Sequence, residues 1–156
     1  MKIKADSILP VPSRRLFQKF DEFYEVVLPE EYKLFLEKNN GAIPITNVFL
    51  HNGREYLVER FLCLLEDPNK YEVEGNYEIR VVMTQLDGRI IEDGDSTTWP
   101  IIPIAALFAG DFICLDFRNS EIPSVVVWFH EESDELSPVT VKVAENITEF
   151  LSRFKE

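Results

Sequence analysis

The side chains best suited to metal or nucleophilic chemistry are few and widely spaced in this sequence. It contains two cysteines, Cys63 and Cys114, and two histidines, His51 and His130. A zinc site needs close ligand pairs such as C-x-x-C or H-E-x-x-H, and the sequence has neither. We therefore predict no metal site and no cofactor.

Two catalytic arrangements can still be drawn from these residue types. Cys114 with His130 would form a Cys–His pair, whereas Ser124, His130 and Asp116 would form a hydrolase triad. Such residue types coexist in most chains, so a buried thiol and a histidine at a strand end are the favoured interpretation. The sequence also lacks the glycine-rich phosphate-binding motifs of nucleotide enzymes. The protein is predicted not to be an enzyme, with the hydrolase as an alternative.

Acidic residues outnumber basic ones by a wide margin. Sixteen Lys and Arg stand against 28 Asp and Glu, which gives a net charge of −12. Proteins that bind nucleic acids gain most of their affinity from cationic contacts to phosphates. The charge therefore argues against a nucleic acid or an anionic membrane as the partner.

Most of this negative charge lies in one segment, from Asp87 to Glu135. Eleven acidic residues accompany only Arg89 and Arg118 there, so the segment carries −9 of the net −12. A surface of one sign steers an oppositely charged partner and speeds association, which predicts an acidic docking face for a basic protein. The alternative is that these acids only keep solvated loops soluble. The partner-binding residues predicted from the charge pattern, with Trp99 as the exposed apolar anchor, are Asp93, Asp95, Trp99, Glu132 and Asp134.

Length and composition predict one domain over residues 1–156, with residues 1–12 as a possible irregular segment. The prolines that follow the N-terminus interrupt any apolar stretch of the kind found in secretory signals. The longest apolar run, residues 99–109, is too short for a membrane helix, which needs about 20 residues. Both cysteines lie in apolar runs and are expected to be reduced, so we predict a cytoplasmic protein.

Helices are predicted near both ends of the chain. After Ser13, a suitable N-cap, the apolar residues Leu16, Phe17, Phe20, Phe23, Tyr24 and Val27 recur at helical spacing. A second helix is predicted over residues 29–39, ended by Asn40-Gly41. A third is predicted from residue 77 to 86 with Asn76 as its cap, and a last one follows a capping-box-like start at Asn146.

The strands are predicted between these helices. Asn52-Gly53 between two apolar runs predicts a hairpin of residues 48–50 and 55–58, and residues 61–65 are predicted as a third strand. Three more strands are predicted at residues 112–117, 124–129 and 139–143. Because helices come before and after a run of strands, the predicted fold class is α+β, with a central, mainly antiparallel sheet and helices at the N- and C-terminal ends packed against it.

Five motifs, taken in order, resemble those of the SUKH superfamily. No single element is specific, but the ordered set covers nearly the whole chain from Leu28 onward. The motifs are Leu28-Pro29-x-x-Tyr32-x-x-Phe35-Leu36-x-x-Asn39-Asn40-Gly41, Ile102-Pro103-Ile104-Ala105, Gly110-Asp111-x-Ile113-Cys114-Leu115-Asp116, Val127-Trp128-x-His130-Glu131 and Asn146-x-x-Glu149-Phe150-Leu151.

The resemblance implies an α+β fold and a non-enzymatic role in protein binding. The superfamily includes fungal cell-wall synthesis regulators and bacterial immunity proteins that neutralise polymorphic toxins, many of them nucleases. An immunity protein that occludes a toxin domain with a basic surface is thus the leading hypothesis, and a regulatory or scaffold module for an endogenous protein is the alternative. By their match to the motifs, Asp111, Asp116, His130 and Glu131 join the predicted partner-binding residues, while Pro29, Tyr32 and Phe35 are interpreted as packing residues.

Overall fold

Six consecutive antiparallel strands form one sheet in which each strand pairs with its neighbours along the chain. The computed structural model describes residues 1–95 and 98–154. The strands are β1 (Val48–His51), β2 (Arg54–Phe61), β3 (Ile101–Leu107), β4 (Phe112–Asp116), β5 (Ser124–Trp128) and β6 (Thr140–Ala144). The helices of the described residues are α1 (Arg14–Tyr24), α2 (Glu30–Asn39), α3 (Ile79–Leu86) and α4 (Ile147–Ser152). This arrangement confirms the predicted α+β class and the antiparallel sheet.

Helices cover both faces of the central strands. Every residue of β3 is buried, which requires packing on each side of the sheet. α3 packs against β3, whereas α4 packs against β5 and β6 and also contacts α2. The aromatic rings of Phe150 and Phe154 on α4 meet Phe49 of β1 edge-on, with centroids 5.2 and 5.8 Å apart. The C-terminal helix therefore joins the two ends of the sheet into one core.

The first helix, α1, follows the sequence pattern closely. The Ser13 hydroxyl accepts a hydrogen bond from the Leu16 amide, which confirms it as the N-cap of α1. Leu16, Phe17, Phe20 and Tyr24 are buried as expected. Phe23 lies at the edge of this stripe and is exposed, and Val27 is exposed because the helix ends at Tyr24 and Glu25 turns the chain with φ +56°.

Asn40 and Gly41 end α2 and anchor the neighbouring chain. Gly41 has φ +69°, which side chains rarely adopt, and a Cβ atom there would also lie 3.0 Å from the Cys63 Cβ, so glycine is strongly favoured. The buried Asn40 amide donates to the carbonyls of Pro10 and Leu64, while its oxygen accepts from the Leu64 amide. The terminating turn therefore also fastens the N-terminal segment.

The first hairpin forms as predicted. Asn52 and Gly53 both have positive φ, 50° and 78°, as a two-residue turn of type I′ requires. His51 and Arg54 then pair directly across the turn.

The prediction of a strand at residues 61–65 was wrong beyond Phe61, which is the last residue of β2. The next residues are buried but bond outside a ladder: the Cys63 amide donates to the Tyr77 carbonyl, and the Leu64 amide donates to Asn40. The strand that crosses the centre is β3 instead, which was not among the predicted strands. Pro103 lacks a ladder donor and is accommodated at a register shift between Pro103 and Ala105.

The predicted start of the third helix was also wrong. Residues Glu74–Tyr77 form a short 3₁₀ helix, and α3 begins at Ile79. Glu78 rather than Asn76 is the N-cap, because its carboxylate accepts from the Arg80 amide at 2.6 Å. The last helix, capped by Asn146 as predicted, begins at Ile147. Among the described residues, no helix has the length and apolar character needed to cross a membrane.

Candidate functional site

Two acidic loops dock against each other near the start of β4 and the end of β5. The first comprises residues 87–95 and the second residues 130–137, and together they are called the acidic double loop below. The Leu136 amide donates to the Gly88 carbonyl at 2.8 Å. A Cβ atom on Gly94 would lie 3.5 Å from the Leu136 side chain, so the tips of the loops are also in contact. The fold thus brings together two acidic segments that lie about 40 residues apart in the sequence.

Arg89 holds the two loops together. Its Nε donates to the Ser133 carbonyl at 3.2 Å, and its Nη2 donates to the His130 carbonyl. The guanidinium group lies over the Trp128 ring, 5.1 Å from the centroid, while the Trp128 indole N–H donates to the Arg89 carbonyl at 2.9 Å. A planar guanidinium group can make all these contacts at once, which an ammonium group cannot.

Asp111 attaches the connection between β3 and β4 to the same loops. Its Oδ1 accepts from the His130 amide at 2.8 Å, so its carboxylate has a structural role at this position. A Cβ atom on Gly110 would lie 3.7 Å from the His130 ring, which shows how closely the two segments pass. His130 itself is exposed beside them.

The acidic double loop presents a dense negative charge to solvent. It carries eight acidic side chains and one basic one, Arg89. All eight are exposed: Asp87, Glu92, Asp93, Asp95, Glu131, Glu132, Asp134 and Glu135. Within the described residues, only Glu92 of this set forms an ion pair, to Arg118 at 3.2 Å. The remaining carboxylates project a field that attracts cationic groups.

Phe108 is an exposed apolar side chain in the connection that Asp111 attaches to these loops. It precedes Asp111 in the connection between β3 and β4 and is 67% exposed. Phe112 is partly buried, and Trp128 and Phe129 belong to the core. Among these aromatic residues Phe108 is therefore the exposed one, three residues before the Asp111 carboxylate that bonds the second loop.

Trp99 does not fill this position, and its prediction as the exposed anchor was wrong. It is partly buried and meets Tyr24 of α1 edge-on, with ring centroids 6.1 Å apart. It precedes Ile101, which pairs with Asp116 at the other end of the β3–β4 ladder from Asp111. The tryptophan is half-buried because the start of β3 holds it against α1. Residues 96 and 97 of the same loop lie outside the described residues.

Asp116 is likewise inside the protein rather than on its surface. Its side chain is buried, and Arg118 bonds both carboxylate oxygens. These hydrogen bonds raise the pKa of Arg118 and keep the guanidinium group charged. Of the nine predicted residues, the fold thus gathers Asp93, Asp95, Asp111, His130, Glu131, Glu132 and Asp134 and leaves Trp99 and Asp116 elsewhere.

Arg89 and Arg118 were not among the predicted site residues, although their positions in the sequence are distinctive. They are the only basic residues between Asp87 and Glu135. An isolated cation in a strongly acidic segment has many carboxylates within reach. In the structure, Arg89 and Arg118 each connect an acidic loop to a strand of the sheet. Their identity as arginines fits their use of several planar hydrogen bonds.

The strand register separates the groups of the alternative hydrolase triad. Asp116 pairs with Ser124 at one end of the β4–β5 ladder, and His130 lies beyond the other end. Six residues of extended chain span roughly 20 Å, so the histidine cannot reach this serine. Burial raises the pKa of Cys114 well above its ordinary value, which keeps its thiol protonated and unreactive. The described residues also contain no group of three His, Cys, Asp or Glu side chains placed to hold one metal ion.

The fold and site define an α+β meander domain with a densely acidic loop pair at one end of the β4–β5 hairpin. The chain belongs to the SMI1 / KNR4 family (SUKH-1), whose model matches residues 12–153 and so spans every element of the sheet. This result confirms the resemblance to the SUKH superfamily. No curated protein and no solved structure matches the chain. Membership supports an immunity or regulatory kind of protein, with another protein as its partner.

Proposed function

We propose that this protein is a cytoplasmic immunity protein that binds and occludes a cognate toxin domain through the acidic double loop. The observation that carries the proposal is the locking of eight exposed carboxylates onto one surface by Arg89 and its neighbours. A preformed charged surface needs no ordering when the partner arrives, so little of the interaction energy is lost to conformational entropy.

The proposed partner presents a basic surface to this loop pair. A nuclease toxin has such a surface, because it must hold nucleic-acid phosphates with cationic groups. An acidic protein placed there would compete with the nucleic acid and block the active site. Occlusion of a nuclease domain is therefore the specific form of the proposal, while the immunity role also accommodates toxins of other chemistry.

Phe108 is proposed as the apolar anchor of the interface. Binding energy in protein interfaces concentrates in a few residues that become desolvated, often aromatic ones, and the charged rim mainly sets the association rate. An exposed phenylalanine beside Asp111 and the acidic double loop fits this division of roles. Asp111 supports the second loop through its hydrogen bond from the His130 amide. His130 and Glu131 are proposed to contact the partner.

The proposed cytoplasmic location rests on the two thiols. Cys63 and Cys114 are both buried and unpaired, a state that reducing compartments preserve. The alternative role is a regulatory or scaffold module that binds an endogenous protein through the same surface. The binding experiment described next distinguishes this role from the immunity role.

The experiment is to measure binding to the C-terminal domain encoded by the adjacent gene, at low and high salt. We expect tight binding whose association rate falls steeply as salt rises. Charge reversal at Asp93, Asp95, Glu132 and Asp134 should slow association by about tenfold or more. The matched control reverses four exposed acids elsewhere, Asp6, Glu55, Glu59 and Glu72, and therefore has the same net charge.

The outcomes separate the possibilities. Equal slowing in both variants would show that only net charge matters, and unchanged rates would remove the electrostatic surface. Phe108→Ala should accelerate dissociation, whereas Leu50→Ala, which truncates an exposed residue of β1, should not. No binding at either salt would reject the cognate-toxin pair and favour the endogenous regulatory partner.

A further inference from the structure

A second surface feature lies at the opposite end of the β4–β5 hairpin from the acidic double loop. A groove of about 1110 Å³ runs between the turn that joins α1 to α2 and the loop that joins β4 to β5. It is distinct from the first surface because β4 and β5 separate the two. The groove lies outside the predicted partner-binding residues altogether.

The floor of the groove is apolar and open to solvent. Val27 and Ile122, one from each wall, are 71% and 74% exposed. Leu28, Phe117 and Pro123, which are buried or partly buried, also line the groove. Single exposed apolar residues are ordinary, but exposed apolar residues that share one concave surface are typical of a binding site.

The wall formed by the α1–α2 turn is held in a defined shape. The Asp21 carboxylate accepts from the Leu28 amide at 3.1 Å and from Lys33 Nζ at 2.8 Å. The Val26 amide also donates to the Asp21 carbonyl, which fixes the turn that Glu25 begins. The groove is thus preformed and needs no large rearrangement to accept a ligand.

All the charged residues that line the groove are acidic. Six of the residues that line it are acidic, and no Lys, Arg or His lines it within the described part of the chain. Asp21 and Glu30 are neutralised by ion pairs with Lys33 and Arg14. Among the described residues, Glu22, Glu31 and Glu121 form no ion pair, so three uncompensated carboxylates surround the apolar floor.

We propose that this groove binds a segment of a partner protein that carries Lys or Arg beside apolar side chains. The cations would meet Glu22, Glu31 and Glu121, and the apolar side chains would cover Val27 and Ile122. Uncompensated carboxylates beside exposed apolar side chains match the charge and polarity of such a segment. This proposal shares with the proposed function only the assumption that the partner is a protein. The groove and the acidic double loop are different surfaces.

The test uses a fluorescent twelve-residue peptide of alternating Lys and Leu, with binding followed by anisotropy. A peptide in which every Leu is replaced by Ser keeps the charge and removes the apolar contacts. We expect the Lys/Leu peptide to bind at least tenfold more tightly than the Lys/Ser peptide. Equal affinities would overturn the proposal, because they would show attraction by net charge alone.

Two pairs of variants locate the binding. Val27→Ser with Ile122→Ser removes the apolar floor without changing the charge, and Ile45→Ser with Leu50→Ser is the control at exposed apolar residues elsewhere. Glu22→Gln, Glu31→Gln and Glu121→Gln remove the free rim charges, with Glu55→Gln, Glu59→Gln and Glu72→Gln, at exposed acids outside both surfaces, as the control of equal charge. Each groove variant should lose about tenfold in affinity and each control less than twofold. Loss in the controls to the same extent would reject the groove.

Amide chemical-shift mapping provides an independent readout. Shifts on peptide addition should cluster at residues 21–31 and 117–123 and should spare residues 130–137. No toxin domain enters these measurements, so the two proposals fail separately. Peptide binding at the groove with no binding of the adjacent-gene domain would reject only the proposed function, and absence of peptide binding would reject only the groove.

Discussion

Arg118 holds the buried carboxylate of Asp116 through two hydrogen bonds, each 2.9 Å long. Its remaining donors reach Glu92 at 3.2 Å and the Thr140 hydroxyl at 2.8 Å. One side chain thus connects β4, β6 and the first loop of the acidic double loop. The pair couples the stability of the sheet to the position of the acidic surface.

Removing Arg118 should destabilise the protein more than removing an exposed arginine. Arg118→Met leaves the Asp116 carboxylate buried without its partner, and breaking such a pair costs about 3 kcal/mol of unfolding free energy. Urea denaturation at neutral pH measures this loss. The control is Arg14→Met, whose ion pairs with Glu30 and Glu37 lie on the surface and whose side chain is 53% exposed. The control should cost less than about 1 kcal/mol, and similar losses in both variants would contradict the structural role of the pair.

Arg89→Lys should loosen the acidic double loop while leaving its charge unchanged. An ammonium group cannot donate to the carbonyls of His130 and Ser133 while it lies over Trp128, so the loops should open more often. Amide hydrogen exchange reports this directly, because the Leu136 amide donates across to the Gly88 carbonyl. We expect its exchange to accelerate about tenfold, which corresponds to about 1.4 kcal/mol.

Arg153→Lys is the matched control for this measurement. Arg153 lies near Glu149 and the Leu50 carbonyl, away from the acidic double loop. Exchange at Leu136 should be unaffected in that variant. If Arg89→Lys also leaves this exchange rate unchanged, Arg89 does not lock the loops.

Asn40→Asp should be among the most damaging isosteric changes in the chain. The substitution removes the two hydrogen bonds to the Pro10 and Leu64 carbonyls and directs a carboxylate at those oxygens in a buried position. The expected loss of unfolding free energy is about 3 kcal/mol or more. Asn39→Asp, at the less buried neighbour, should cost below about 1 kcal/mol, chiefly through the negative end of the helix dipole. Equal midpoints for the two variants in urea would contradict the anchoring role of Asn40.

Alkaline pH should weaken the fold through its buried thiols. Burial raises the pKa of Cys63 from 9.0 to about 12, and burial also raises the pKa of Cys114 well above 9.0. Above pH 9 the unfolded chain releases these protons while the folded chain retains them, so stability falls as pH rises. Each thiol should contribute a slope of about 1.4 kcal/mol per pH unit between pH 9 and its folded pKa.

The measurement is the unfolding free energy in urea at pH 8, 9 and 10 with a reductant present. Buried tyrosines such as Tyr32, whose pKa burial also raises, add to the decline only above pH 10. The Cys63→Ala variant should show a shallower decline than the parent protein between pH 9 and 10. A stability that stays constant over that range would refute the shifted thiol values.

The elements that could be predicted from the sequence are those with local signals. Ser13 caps α1, Asn52-Gly53 forms the hairpin turn and Asn146 caps α4, because each signal depends on neighbours within a few residues. The strand β3 could not be assigned in this way. The apolar run of residues 99–109 has no alternation, so its pattern does not distinguish a buried strand from a buried helix. Pro100 and Pro103 within the run disfavour both.

The candidate surface was predicted in its composition and only partly in its geometry. The excess of acids between Asp87 and Glu135 is visible in the sequence, as is the scarcity of basic residues there. Exposure depends on distant contacts, which explains why Trp99 packs against Tyr24 while Phe108 remains open. The buried state of Asp116 likewise depends on Arg118 and on the neighbouring strands.

The sequence by itself determined the fold class, the family and the sign of the charge, because these follow from periodicity, motif order and composition. Only the tertiary structure decided which acids share a surface and which arginines hold them. Residues 87–95 and 130–137 meet because the meander brings the end of β5 beside the segment that follows α3, and Arg89 then bridges them. The groove beside Val27 and Ile122 has the same origin, since its walls come from segments about 95 residues apart that no local pattern relates.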